Sequence, residues 1–203
     1  MTNDNLVFGL SAIQYLYCAD IDDAGPTVPL EFIEEYLDTI STVSRSCDEG
    51  INLATNLRVS YELDVSLEYI AQYHSLFKDR GPDLFKFYEF ASEFVPTDYI
   101  AAMLRVIDDN RGKFPIYPAV LIIDLYRLDM SPSECETLLE YIEGEDFRSM
   151  SRQEIPVDYA ISVFEEFKKH RTYCSISNVA LMHDNDIAIE DCVEYLQELR
   201  SRD

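Results

Sequence analysis

The chain has 203 residues, with 16 basic against 39 acidic side chains, a formal charge of −23 at pH 7. Charge this negative excludes the ordinary nucleic-acid reader, which needs a basic face to displace counterions from phosphate, and it disfavours docking on anionic lipid. Apolar residues at 47%, with 14 Tyr and 11 Phe, exclude an intrinsically disordered chain and supply a core for one domain or at most two small ones.

Proline and glycine punctuate the rest. Pro29, Pro82, Pro96, Pro118, Pro132 and Pro156 each precede or open an amphipathic run, where a missing N–H costs a helix nothing. Gly25, Gly50, Gly81, Gly112 and Gly144 fall between the runs, as helix stops would. In chain order the predicted helices are 4–19, 29–45, 48–59, 64–79, 82–94, 96–110, 117–129, 132–143, 156–170, 175–183 and 187–201. The second carries Leu30, Ile33, Leu37 and Ile40 on one stripe. The sixth carries Ile100, Met103, Leu104 and Ile107, and the ninth Val157, Ala160, Ile161 and Phe164.

Ser131 and Glu134 form a capping box around Pro132. Lys168, Lys169, His170 and Arg171 close the helix begun at Pro156, where cations complement the carbonyl end of the dipole. The connections are short, so neighbours run antiparallel. Hairpins begin near 29, 64, 96 and 132, a spacing of about 33 residues. The stretch 144–155 interrupts the rhythm, the last hairpins fall out of phase, and no strong sequence self-similarity accompanies the period. The expected fold is all-α, a single domain over 1–203, with 1–60 as an optional N-terminal cap on a hairpin region 61–203. Its hairpins pack either as an irregular superhelix of the tetratricopeptide or pentatricopeptide kind or as a globular α-bundle.

Cys18, Cys47, Cys135, Cys174 and Cys192 have no pair closer than 18 residues, which excludes CxxC and zinc-knuckle spacing and points to buried, reduced thiols. The first basic residue is Arg45, so no basic secretory or mitochondrial leader is visible in the chain as given. The protein then acts where it is made, is imported by an internal signal, or is a processed form.

Candidate chemistry is sparse. His183 and Asp184 suggest a metal phosphohydrolase, but only His74 and His170 remain to complete a ligand set. Asp184, Asn185, Asp186 and Glu190 resemble a calcium loop without its glycine or its offsets. Asp20, Asp22 and Asp23 read as a turn. No phosphate loop, dinucleotide fingerprint or nucleophile elbow occurs. Tyr69, Tyr73, Phe77, Phe87, Phe90 and Phe94 fall at helical spacings on two adjoining predicted helices; without interleaved basic residues they read as a hairpin core rather than a base-stacking platform. The residues therefore name no catalytic, cofactor or metal site, and the chain reads as a non-enzyme.

From about Leu67 to Phe147 the chain resembles the cytochrome c oxidase subunit Va family, called subunit six in yeast. The likeness is carried by Glu68 through Tyr73 with Phe77, by Asp83-Leu84-Phe85, and by Val95-Pro96 opening the next helix. Ile100, Leu104-Arg105 and Asn110 follow, then Ala119-Val120 with Ile122-Ile123-Asp124. The stretch Ala160 to Glu165 is also similar to a pentatricopeptide second helix. Leu104-Arg105 falls one residue early for the family, and its following run of arginines is missing. The resemblance implies a right-handed superhelix of hairpins on the matrix face of the inner membrane, an accessory subunit without a redox cofactor of its own. The alternative location is the cytoplasm.

Two functions fit the charge. One is an accessory or scaffold subunit with a basic protein partner, respiratory oxidase subunits by the resemblance. The other is an acidic inhibitor that imitates nucleic acid and blocks a basic, nucleic-acid-binding protein. Neither requires direct contact with nucleic acid, and no run of residues is long and apolar enough to span a bilayer.

Overall fold

The computed structural model describes residues 28–43, 50–77, 87–114 and 118–202. All regular structure among them is helical. Eleven α-helices follow in order: α1 (Leu30–Val43), α2 (Gly50–Glu62), α3 (Leu67–Phe77), α4 (Phe87–Ser92), α5 (Thr97–Asp109), α6 (Pro118–Arg127), α7 (Pro132–Leu138), α8 (Gly144–Arg152), α9 (Val157–Lys169), α10 (Ile176–Asp184) and α11 (Cys192–Arg202). Short 3₁₀ turns occupy Arg111–Lys113 and Ile189–Asp191. The helix expected at 4–19 lies outside the described residues. The chain divides into two compact units, Met1–Asp98 and Tyr99–Asp203.

Among the described residues the prolines mark helix starts as expected; Pro82 lies outside them. Pro118 and Pro132 are first helical residues, and Pro29, Pro96 and Pro156 stand immediately before one. The capping box is formed: Glu134 N–H donates to Ser131 Oγ at 3.3 Å, and Ser131 N–H donates to Glu134 Oε2 at 2.7 Å. Two expectations fail. The helix drawn over 132–143 ends at Leu138, and α8 fills the stretch that seemed to break the rhythm. Leu139, Tyr141 and Ile142 turn their N–H groups back onto Cys135 and Leu138 carbonyls, and Glu143 N–H is held by Asp146 Oδ2 at 3.0 Å, which starts a new helix. Among its described side chains only Phe147 and Met150 are fully buried, so α8 offers too short an apolar stripe to be seen from periodicity.

Gly112 follows the end of α5, Gly25 and Gly81 lie outside the described residues, and the other two glycines are not stops. Gly50 and Gly144 open helices instead. The positive-φ residues at helix ends are Asp64, Phe94, Asp129, Glu154, Arg171 and Asp186, all with φ of 50–54°. Each N–H there closes on the carbonyl three residues back, and the next residue's N–H closes five back, as Val95 does on Phe90 at 3.1 Å. That is the Schellman closure, here made without glycine. A non-glycine residue in this region costs about 1–2 kcal/mol, least for Asp.

These turns expose a repeat that periodicity alone hides. Five-residue segments at 28–32 (VPLEF), 65–69 (VSLEY), 95–99 (VPTDY), 130–134 (MSPSE), 155–159 (IPVDY) and 187–191 (IAIED) each open the first helix of a hairpin or, in the last case, the final helix. An apolar residue leads, a cap or proline follows, and an acid stands in the first turn, where the helix dipole favours it. The fifth position is structural. Tyr69 Oη donates to Val95 O at 2.9 Å, Tyr99 Oη to Met130 O at 2.7 Å, and Tyr159 Oη to Ile187 O at 3.1 Å. In all three cases one hairpin's tyrosine holds the leading residue of a later segment. Phe32 stands in the same position in the first hairpin and sets its ring against Tyr61. Tyr99→Phe should cost about 1–2 kcal/mol in a chemical-denaturation curve, because it leaves the Met130 carbonyl without its donor.

Within the first unit α1 packs on α3 and α2 on α4. Within the second, α7 packs on α9 and α9 on α11, while α6 packs on α8 and α8 on α10. First helices therefore stack on first helices and second on second, the arrangement of stacked hairpin repeats. The last helix, α11, turns Glu194, Gln197, Glu198 and Arg200 to solvent, as a terminal cap must.

The first unit is centred on aromatics. Tyr73, Phe77, Phe87 and Phe90 are all within 1% of complete burial, and Tyr73 lies 4.7 Å from Phe77 and 5.1 Å from Phe87. His74 is buried against Phe87, and that burial lowers its imidazole from 6.5 to about 4. Below pH 6.5 the unfolded chain takes a proton that folded His74 refuses. Its contribution is complete above pH 6.5 and is lost as pH falls towards 4, about 3 kcal/mol in all. Urea titrations between pH 7 and 5 should show that slope, and His74→Gln should flatten it; most carboxylates stay ionised in this range, so their relief of self-repulsion does not mask it.

Candidate functional site

The sequence motifs do not converge. His74 is in the aromatic core, and His170 is exposed with Nε2 3.1 Å from Glu166 Oε1. His183 ends α10 with its ring edge-on to Tyr159 at 5.2 Å, and Asp184 Oδ1 lies 4.0 Å from its Nδ1. Asp186, Asp191, Glu194 and Glu198 line an open recess of about 360 Å³ with Ile187 and Tyr195. Among the described residues no three His, Cys, Asp or Glu side chains are placed to hold a metal ion. Neither the phosphohydrolase nor the calcium-loop arrangement forms at His183 to Glu190. Asp20, Asp22 and Asp23 lie outside the described residues.

Cys18 and Cys47 lie outside the described residues, and the three described thiols are not nucleophiles. Cys135, Cys174 and Cys192 are buried and free. Burial pushes Cys135 and Cys174 up to about 12 and raises Cys192 as well, so none is a thiolate at neutral pH. The basic cluster at the end of α9 is paired. Lys168 Nζ donates to Glu140 Oε2 at 3.0 Å and lies over the Tyr141 ring, and Lys169 Nζ donates to Glu166 Oε2 at 2.8 Å.

One aromatic stands apart. Phe94 belongs, by spacing, to the hairpin core with Phe87 and Phe90. The structure puts it elsewhere: α4 ends at Ser92, Phe94 takes φ 52°, and its side chain is 68% exposed. Val95, fully buried, takes the core place that helical spacing would assign to it. At the equivalent turns the chain carries Asp64, Asp129, Glu154 and Asp186, which are cheaper both in this backbone conformation and in water. A bulky aromatic held in a strained conformation and left in solvent adds little to packing, which makes it a candidate site feature. Tyr88, 56% exposed, lies on the same short helix as Phe87 and Phe90. Glu93 and Asp98 flank Phe94 in sequence, so its turn is acidic around an apolar centre.

Sequence reasoning missed this residue because it continued the helical period two residues too far. The signal that finds it is the repeat: aligning the six five-residue segments puts Phe94 in a column otherwise filled by Thr27, Asp64, Asp129, Glu154 and Asp186. No family matches the chain, and neither a curated protein nor a solved structure shows significant similarity to it.

Proposed function

We propose that the protein is a non-catalytic docking subunit of a larger assembly, and that Phe94 anchors a partner whose surface is basic around an apolar pocket. The observation that carries this is the exposure of Phe94 in a left-handed conformation that aspartate fills at neighbouring turns. Charge supports the same reading. Carboxylates recur at the turns between hairpins, at Asp64 and Glu68, Glu93 and Asp98, Asp129 and Glu134, Glu154 and Asp158, Asp186 and Glu190. They would steer a basic partner from a distance and set its register, while the aromatic supplies the affinity.

The most specific form of the proposal follows the resemblance over 67–147: an accessory subunit of cytochrome c oxidase on the matrix face of the inner membrane, with no cofactor of its own. The general form places the same docking function in the cytoplasm. No helix among the described residues is long and apolar enough to cross a membrane. The experiment is affinity capture of the full chain from its own cells, in parallel with Phe94→Asp, with identification of the proteins and a haem absorbance scan. Oxidase core subunits with haem a absorbance, lost in the variant, would support the respiratory form. A basic nucleic-acid-binding protein captured equally by both chains would favour the nucleic-acid mimic and contradict the docking role of Phe94.

A further inference from the structure

Residues 167–183 are the longest stretch of the chain without a carboxylate, and they hold Lys168, Lys169 and Arg171. Lys168 and Lys169 are paired with Glu140 and Glu166. Arg171 is exposed and, among the described residues, joins no ion pair. It takes φ 54° at a turn position that Asp64, Asp129, Glu154 and Asp186 fill elsewhere. Two residues on, Tyr173 is 73% exposed, more than any other large hydrophobic side chain described. Arg200, on α11, brings Nη2 to 3.5 Å from the Tyr173 carbonyl oxygen, and among the described residues it too joins no ion pair. Tyr173 with Arg171 and Arg200 makes a basic surface around an aromatic centre in the second unit. The Phe94 turn, in the first unit, is acidic around an aromatic centre.

We propose that Arg171, Tyr173 and Arg200 take the Phe94 turn of a second copy of this chain, a contact that rests on the anchoring role of Phe94. Charge selects this occupant. The first unit holds 18 acidic and 5 basic side chains, a net of −13, so uncompensated carboxylates remain however its cations are placed. Phe94 supplies a ring to pack with Tyr173, and guanidinium groups both stack on rings and donate to carboxylates. The two surfaces differ, so copies join head to tail, and each pair keeps one surface of either kind open. The chains as wholes repel at −23 each. Screening has to shorten that repulsion before the local contact forms: the Debye length is about 30 Å at 0.01 M salt and about 8 Å at 0.15 M. Self-association is therefore expected to strengthen with salt over that range, opposite to the binding of a basic partner.

The test is light scattering of the purified full chain across a range of concentrations at these two salts. Larger particles are expected at the higher salt and monomer at the lower. Tyr173→Asp, Arg171→Asp and Phe94→Asp should each weaken association by about tenfold or more. All three replace exposed side chains, and aspartate already holds the turn position of Arg171 and Phe94 elsewhere, so the fold stands. The decisive sample mixes Tyr173→Asp with Phe94→Asp. One chain keeps the Phe94 turn and the other keeps the basic surface, so the mixture should form a one-to-one dimer and nothing larger. A monomer at every salt, association unchanged by all three substitutions, or a mixture that stays monomeric would overturn the proposal. If Phe94→Asp still loses its cellular partner in that event, the docking role of Phe94 stands and only the second copy as occupant fails.

Discussion

Phe90→Ala is expected to lower the unfolding free energy of the first unit by about 3–5 kcal/mol. The ring is fully buried, 5.5 Å from Tyr73 and 5.9 Å from Phe77. Truncation removes its transfer free energy, opens a cavity among rings too rigid to collapse into it, and breaks tilted ring contacts worth about 0.5–1.5 kcal/mol per pair beyond burial. Domains of this size have about 5–15 kcal/mol in total, so the loss is a large part of what the unit has. Urea unfolding followed by tyrosine fluorescence measures it directly. A loss under about 1 kcal/mol would mean that the aromatic face is not the core described.

Four residues further on, the expectation reverses. Phe94→Asp should leave stability within about 0.5 kcal/mol of the parent, because the residue packs little and aspartate relieves backbone strain. Asp64, Asp129 and Asp186 already hold that position with φ of 52–54°. Partner affinity, in contrast, should fall by about 30- to 150-fold, the usual consequence of removing an aromatic anchor worth about 2–3 kcal/mol. The paired variants thus separate the two roles that one stripe of aromatics seemed to share. Phe90 should be lost from the fold and not specifically from the interface, and Phe94 from the interface alone.

Much of the architecture is legible in the sequence because the signals are local. Prolines and the Ser131–Glu134 box mark helix starts through backbone chemistry that needs no tertiary context. The stripe of Ile100, Met103, Leu104 and Ile107 is buried as its spacing requires. In α1 the stripe holds only in part: Ile33 and Ile40 are buried, Leu30 is 58% exposed, and Tyr36 takes a fully buried place. Helix ends were harder. Glycine is a reliable stop only where no other residue accepts the left-handed turn, and here Asp, Glu, Arg and Phe accept it. The repeat was missed for a related reason. Its spacing varies as hairpin lengths vary, while the constant part is five residues long and tolerates Tyr, Phe, Glu or Asp at its last position. The tyrosine struts join residues distant in sequence, so only packing brings them together.

The central claim is that this acidic, repeat-built protein acts by holding a basic partner through Phe94. The most direct measurement is the dissociation constant of the partner recovered from its own cells, for the parent chain and Phe94→Asp, at two salt concentrations. The account predicts a large loss of affinity in the variant at both salts, with weaker binding at higher salt in each chain. Equal affinity of the two chains would contradict it.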